Sequence, residues 1–281
     1  MSELEPAGPN AEQITYWNAA AGPVWVAMQV ALDHQLDPLG ERAIEALAPA
    51  AGERIIDVGC GCGSTSMALA ARVGPSGRVL GVDISEPMLA VARGRAAAAG
   101  LEQAAFALAD AQTHAFAPAD AMFSRFGVMF FADPAAAFAN IRKALGGGRL
   151  TFVCWRAFAD NPWMFLPMAA ALPLLPAPPE PPSPDAPGPF AFADRDKVAG
   201  ILRQAGFGSI QIEPHDQPIG WPDLDEAVGG TLNVGPLGRV VREHPTLAEP
   251  IRDAVGAALA AHAGPDGVKL ASATWIVKAS R

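Results

Sequence analysis

Apolar residues recur along this chain in two alternating rhythms. Leu39, Ala43, Ile44 and Leu47 mark one face of a helix over 37–48 that stops at Pro49, and residues 54–58 then form a short, almost wholly apolar run. Continuous apolarity of this kind belongs to a parallel strand covered on both faces. The alternation continues with a helix over 64–73, a strand over 78–82, a helix over 85–99 closed by Gly100, and a strand near 105–108. A strand over 119–124, a helix over 134–145 and a strand over 149–155 follow. Five strands with intervening helices imply a doubly wound α/β sheet.

The rhythm changes after Trp155. A helix-like stretch over 164–175 runs into 176–189, a proline-rich segment with almost no charge. It reads as a loop or lid, because proline blocks regular structure while fixing an extended path. Asp194 is placed to cap a helix through Gln204 that Gly206 closes, and residues 209–213 give a sixth strand. Residues 221–263 look helical with Pro and Gly punctuation, and 268–278 supply a seventh strand. The expected organisation is a helical lid segment over 1–50, an α/β core over 51–160, and a last part over 161–281. That last part carries the proline-rich lid, a helical insertion and the strands that complete the sheet.

Composition narrows the partners. Hydrophobic residues make up 51% of the 281 and charged residues 17%, which suits a globular chain with a sizeable core. A net charge of −9 with no basic run argues against nucleic acid or an anionic membrane. The uncharged stretch 161–179 reaches the length of a membrane span, but Pro162, Pro167, Pro173, Pro176, Pro178 and Pro179 interrupt it, so a pocket-covering segment is expected. Three cysteines, Cys60, Cys62 and Cys154, are too few for a disulfide framework and point to a reducing cytoplasm. The acidic amino terminus lacks the apolar stretch of a signal peptide.

The candidate chemistry begins at Ile55-Ile56-Asp57-Val58-Gly59-Cys60-Gly61-Cys62-Gly63-Ser64, a strand running into a glycine turn. Residues without Cβ let a helix amino terminus approach a ligand closely. Asp83 ends the second strand, where a carboxylate can accept both hydroxyls of a ribose. Asp110 follows the third strand and can accept from an adenine amino group, with Ile84 against the ring. Together these make a nucleoside site. The spacing is G-x-G-x-G, and Ser64 stands where a dinucleotide fold wants glycine or alanine, which weakens a pyrophosphate reading.

The ordered set Asp57-x-Gly59-x-Gly61-x-Gly63, Asp83, Asp110-Ala111 and Met122-Phe123-Ser124 resembles the class I S-adenosylmethionine-dependent methyltransferases over about 55–155. The resemblance implies a Rossmann-like, mostly parallel, seven-stranded sheet with an N-terminal helical lid and late helical insertions. It also implies S-adenosyl-L-methionine as cofactor and S-adenosyl-L-homocysteine as product. By the same resemblance Asp57, Gly59 and Gly61 cradle the methionine part, Asp83 and Ile84 the ribose, and Asp110 and Ala111 the adenine. Ser124 and Arg125 then lie beside the sulfonium. Tyr16-Trp17-Asn18, Trp25 and Ser85-x-Pro87-Met88-Leu89 look like the branch that includes ubiquinone and menaquinone C-methyltransferases. Tyr16, Trp25 and Met88 accordingly join the expected cofactor residues, since an aromatic face can hold a sulfonium without offering a nucleophile. The plainer reading of Trp17 and Trp25 is core packing of an amphipathic helix.

Methyl transfer needs mainly in-line positioning, and a general base is optional when the acceptor is already acidic or nucleophilic. His114 and Arg156 are the candidate catalytic residues, although His114 reads more readily as a surface-loop histidine; His215 carries the same ambiguity. Arg156, Asn161 and Trp163 follow the fifth strand, on the rim where α/β folds place substrates. Asn161-Pro162-Trp163 also reads as the start of a helix. No metal is expected, because no His or further Cys completes a tetrahedral set around Cys60 and Cys62.

The expected function is methyl transfer by direct displacement to a carbon or oxygen of a small, rather hydrophobic metabolite. The rivals are a nicotinamide-dependent oxidoreductase, which Ser64 and Asp110 argue against, and an S-adenosylmethionine-binding protein without turnover. The Ala/Leu-rich helices are compatible with a homodimer.

Overall fold

The computed structural model describes residues 4–180, 183 and 185–281. Three helices precede the first strand: α1 (Ala11–Ala19), α2 (Ala21–Ala27) and α3 (Gln29–Leu47). The apolar pattern predicts only the second half of α3, because Asp33-His34-Gln35 and Pro38 interrupt the stripe. The helix runs through Pro38 all the same. A proline inside a helix costs about 3 kcal/mol, and burial of Leu32, Leu36, Leu39, Ala43, Ile44 and Leu47 along α3 offsets it.

The core then alternates as expected: β1 (Arg54–Val58), α4 (Ser64–Val73), β2 (Arg78–Asp83), α5 (Glu86–Ala98), β3 (Ala104–Leu108), β4 (Ala121–Arg125), α6 (Pro134–Leu145) and β5 (Arg149–Trp155). Beyond it lie α7 (Pro162–Ala171), α8 (Arg195–Gln204), β6 (Ile210–Trp221), α9 (Leu224–Asn233), α10 (Gly235–Glu243), α11 (Ala248–Ala260), β7 (Ala263–Gly264) and β8 (Gly267–Ser280). Asp194 caps α8 by accepting from the amides of Asp196 and Lys197 at 2.7 and 3.1 Å.

The sheet order is β3-β2-β1-β4-β5-β8-β6, with the two-residue β7 paired to β8 as an eighth strand. Strands β1 to β5 are parallel, and β8 is antiparallel to both β5 and β6. This is the Rossmann-like, mostly parallel sheet the motifs imply. The order reverses at β1 and β4, so the loops after these strands flank the crevice where such sheets hold ligands.

Strand β6 is far longer than expected. Pro214 and Pro218 end the sequence-predicted strand at 213, yet β6 runs to Trp221. It pairs only with β8, so its other side is an open edge, where a residue without an N–H is tolerated. While β5 stops at the Trp155↔Thr274 pair, β6 and β8 continue together to Trp221↔Val268. The resulting two-stranded ribbon rises past the carboxyl edge of the sheet.

Helices α7, α9, α10 and α11 pack on that ribbon around a second apolar core that includes Leu32, Met168, Trp221, Leu237, Ile251 and Val255. The stretch predicted as helical over 221–263 thus divides into three helices that cap the ends of the strands. Trp25, Phe158 and Trp163 pack against both cores and mark the seam between sheet and cap. In the proline-rich segment Pro181, Pro182 and Pro184 lie outside the described residues. Its far end is anchored where Phe192 is buried and its carbonyl accepts from the Cys154 thiol. No helix among the described residues is long and apolar enough to cross a membrane.

Candidate active site

The turn after β1 takes its shape from its glycines. Gly59, Gly61 and Gly63 have φ of 67°, 54° and 86°, the left-handed region that glycine enters without a Cβ penalty. A Cβ on Gly59 would stand 2.7 Å from the Cα of Gly127, so the loops after β1 and β4 meet backbone to backbone. A Cβ on Gly61 would meet only the Met88 side-chain tip, at 2.9 Å. Gly59 is therefore held by packing, and Gly61 by its own backbone angle. Burial pushes the Cys62 thiol up to about 11 and raises that of Cys60 well above its ordinary value. Both stay protonated at neutral pH and fill space in the turn. The described residues contain no cluster of potential metal ligands.

Three carboxylates end up at the carboxyl ends of β1, β2 and β3, each in a different electrostatic setting. Asp57 is fully buried, and its Oδ2 accepts from the hydroxyls of Thr65 at 2.7 Å and Ser66 at 2.6 Å. Its Oδ1 is buried with no partner. Desolvation pushes its pKa up to about 6, against the pull of those two hydroxyls. Asp83 is half-buried and accepts from the amides of Gly61 at 2.8 Å and Ser85 at 2.9 Å. Burial raises its pKa, and the loop amides oppose the rise. Asp110 accepts from the Gln112 amide, the Gln112 side chain and the Asn10 side chain, at 2.9, 3.3 and 3.2 Å. An ionised carboxylate offers about four acceptor sites, so Asp83 and Asp110 both keep unused capacity.

The N-terminal helices clasp this region through residues the sequence reading did not select. Asn10, 3% exposed, donates to Asp110 and accepts from the Ala132 amide. Asn18 donates to the Ile84 carbonyl and accepts from the Glu86 amide, while the Ser85 hydroxyl donates to the Trp17 carbonyl. The strap therefore crosses the loops that follow β2 and β3. On α3, Asp37 pairs with Arg125 at 2.6 Å and accepts from the Ser64 hydroxyl, and Asp33 pairs with Arg95 at 2.7 Å. Arg95 in turn donates to the Cys62 carbonyl in the glycine turn. The four-residue spacing of Asp33 and Asp37 on one helix face was a readable signal. The asparagines carried none, since their partners lie far off in sequence.

The remaining candidates fall unevenly. Met88 is buried beside Gly61, and the Ala111 carbonyl accepts from Asn140. Ser124 is fully buried and donates to the Val58 carbonyl at 2.7 Å, tying β4 to β1. Trp17 sits edge-on to Tyr16, Trp25 and Phe130, at 5.7, 5.8 and 5.2 Å between ring centres, whereas Tyr16 is exposed. Through Phe130, Trp17 contacts the turn after β4. His114 stacks edge-on with Phe116 in the loop after β3.

Two acceptor-side candidates have polar groups engaged within the protein. Arg156 is committed to Asp216 and Asp160 and lies over the Trp275 ring at 5.2 Å. It ties the end of β5 to β6. Asn161 is fully buried, donates to the Ala157 and Ala273 carbonyls, and accepts from the Ala273 amide and the Trp163 indole. Its polar atoms are spent on structure. Trp163 lines a small cavity and lies 4.9 Å from Trp155, which stacks on Phe126 at 4.0 Å. Phe126 has φ of 59°, a strained angle for an aromatic residue.

A family model described as a methyltransferase domain matches residues 55–148. The chain is 31% identical to nocamycin O-methyltransferase of Saccharothrix syringae over 242 residues, 80% of this chain and 84% of that protein. It is 35% identical to aklanonic acid methyltransferase DauC of Streptomyces sp. (strain C5) over 143 residues, which span 50% of this chain and 64% of DauC. Among solved structures, the YcgJ protein of Bacillus subtilis shares the fold, with a TM-score of 0.56 at 18% identity over 88% of this chain and 98% of its own. The architecture is thus that of the Rossmann-like methyltransferases. The chain belongs to the class I S-adenosylmethionine-dependent methyltransferases, with S-adenosylmethionine as the methyl donor.

Proposed function

We propose that this methyltransferase acts on a carbon or oxygen of a small, rather hydrophobic metabolite, and that the glycine turn with Asp57, Asp83 and Asp110 holds its cofactor. The observation that carries this reading is the gathering of those carboxylates at the ends of adjacent parallel strands around a turn without Cβ atoms. The residues fit the cofactor's chemistry. The orphaned Asp57 Oδ1 suits a ligand ammonium, Asp83 retains lone pairs for ribose hydroxyls, and Met88 and Ile84 give apolar walls. S-adenosylmethionine supplies, when bound, a sulfonium methyl open to displacement.

What the chain itself supplies is positioning and exclusion of water. Phe126, Trp155 and Trp163 form a continuous aromatic wall from the loop after β4 into the cap. This reading assigns no general base: His114 sits edge-on against Phe116, and Arg156 is paired with Asp216 and Asp160. The acceptor is therefore one that brings its own acidic hydroxyl or enol, and the 31% identity to an O-methyltransferase supports oxygen. The free, buried cysteines are in keeping with a reducing cytoplasm.

Calorimetric titration with S-adenosylmethionine, S-adenosylhomocysteine and NAD tests the site. Micromolar binding of the first two is expected. Asp83→Ala should weaken it about 100-fold, as loss of two charge-assisted hydrogen bonds would. Full affinity in Asp83→Ala would overturn the assignment, as would preferential binding of NAD.

A further inference from the structure

Along α3, Asp33, Asp37 and Gly40 follow one another at i, i+4 and i+7 and so share one face of the helix. A single oxygen on that face, Oδ1 of Asp37, accepts from two elements at once. The hydroxyl of Ser64, the first residue of α4, donates to it at 2.7 Å, and Nη1 of Arg125, the last residue of β4, donates at 2.6 Å. Asp33 lies 3.8 Å from Nη2 of the same Arg125 and also pairs with Arg95, whose other terminal nitrogen donates to the Cys62 carbonyl at 2.8 Å. The Arg125 side chain, 11% exposed, lies across Gly40, where a Cβ would stand 3.0 Å from its Cδ. Glycine is unfavourable inside a helix, and at this position it leaves room for that side chain. The loops tied together from α3 are those after β1 and β4, which flank the crevice at the reversal of strand order and touch each other at Gly59 and Gly127.

We propose that Asp37 is a positioning residue for cofactor binding: by holding Ser64 and Arg125 on one oxygen, it fixes the glycine turn against the loop after β4. The inference rests on the methyltransferase reading above, which puts the cofactor at this turn, and adds a residue that acts through two others. A site ordered before its ligand arrives binds more tightly than one the ligand must order. Gly61 and Gly63 bring no side chains to fix the turn, and on the α3 side its ties are the bonds to the Cys62 carbonyl and the Ser64 hydroxyl. Folding depends on Asp37 much less. Its side chain is 43% exposed, and an ion pair with so exposed a partner contributes little to stability. Removal of Asp37 therefore weakens the cofactor more than it weakens the fold.

Calorimetric titration of S-adenosylhomocysteine into the full chain, with thermal unfolding of the same proteins, tests the assignment. Asp37→Ala should weaken binding about tenfold and lower the unfolding temperature by no more than about 3 °C. Asp37→Glu keeps the charge and the acceptor and should stay within about threefold of wild type. Arg125→Met should weaken binding as well, and the double variant Asp37→Ala/Arg125→Met should lose less than the product of the two single losses, because both changes break one tie. Glu41→Ala removes an exposed pair with Arg72 of α4, one turn further along α3, and should bind as wild type does. Wild-type affinity in Asp37→Ala, an equal loss in Glu41→Ala, no recovery in Asp37→Glu, or independent effects of Asp37 and Arg125 would each overturn the inference and leave the methyltransferase reading intact. Failure of S-adenosylhomocysteine to bind wild type would sink that reading and the inference with it.

Discussion

Replacing Asp57 by Asn should remove a pH dependence of stability that one buried charge imposes. In the unfolded chain its carboxyl titrates near 3.8, whereas in the folded protein desolvation raises it to about 6. Between those values the folded state binds more protons than the unfolded state, so stability falls as pH rises. The penalty is absent below about pH 4 and complete above about pH 6. At 1.36 kcal/mol per pKa unit its full size is about 3 kcal/mol, of which about 2 kcal/mol falls between pH 4.5 and 7.5. Asn keeps an oxygen for the Thr65 and Ser66 hydroxyls and turns an orphaned acceptor into an orphaned donor, so the geometry is retained. Urea unfolding at both pH values should show wild type losing about 2 kcal/mol more than Asp57→Asn. Asp83, also raised by burial, is present in both proteins. Identical pH profiles would refute the argument that Asp57 carries a buried, uncompensated charge. If the ionised form receives a ligand ammonium, affinity of wild type for S-adenosylhomocysteine should also rise about tenfold from pH 5 to 7, and that of the variant should not.

Gly59→Ala should destabilise by about 3 kcal/mol, combining a left-handed backbone with contact against Gly127, while Gly61→Ala should cost about 1 kcal/mol because only the Met88 tip must move; thermal unfolding separates the two. Asn161→Leu leaves the Ala273 amide and carbonyl and the Trp163 indole without their partner, so denaturant unfolding should show a loss of about 3 kcal/mol, with S-adenosylhomocysteine affinity of the folded protein unchanged. Arg156→Met should cost less than about 1 kcal/mol, since both its carboxylate partners are exposed, and a loss above about 2 kcal/mol would contradict its description as a surface tie.

The local pattern was sufficient for the α/β core because each buried parallel strand writes its own apolar run and each helix its own stripe. Residues 54–155 needed no knowledge of distant neighbours to be divided correctly, and the glycine turn was legible because positive φ at Gly59, Gly61 and Gly63 is a demand on the residue itself. The places where local rules misled are those that long-range contacts decided. Pro38 stays helical because α3 is buried along the sheet, and β6 passes Pro214 and Pro218 because its far side is an open edge. The same holds within the site. Asp57, Asp83 and Asp110 announced themselves by position after strands, but the partners that set their charge, Asn10 above all, come from segments up to 100 residues away. Arg156 and Asn161 stood at the right place in the sequence for substrate, and contacts with β6 and β8 engage the Arg156 guanidinium and the Asn161 amide. Gln35 shows the reverse: a polar residue that interrupts a helix stripe is unremarkable in sequence, and only the meeting of α3, α7, α9 and α10 buries it.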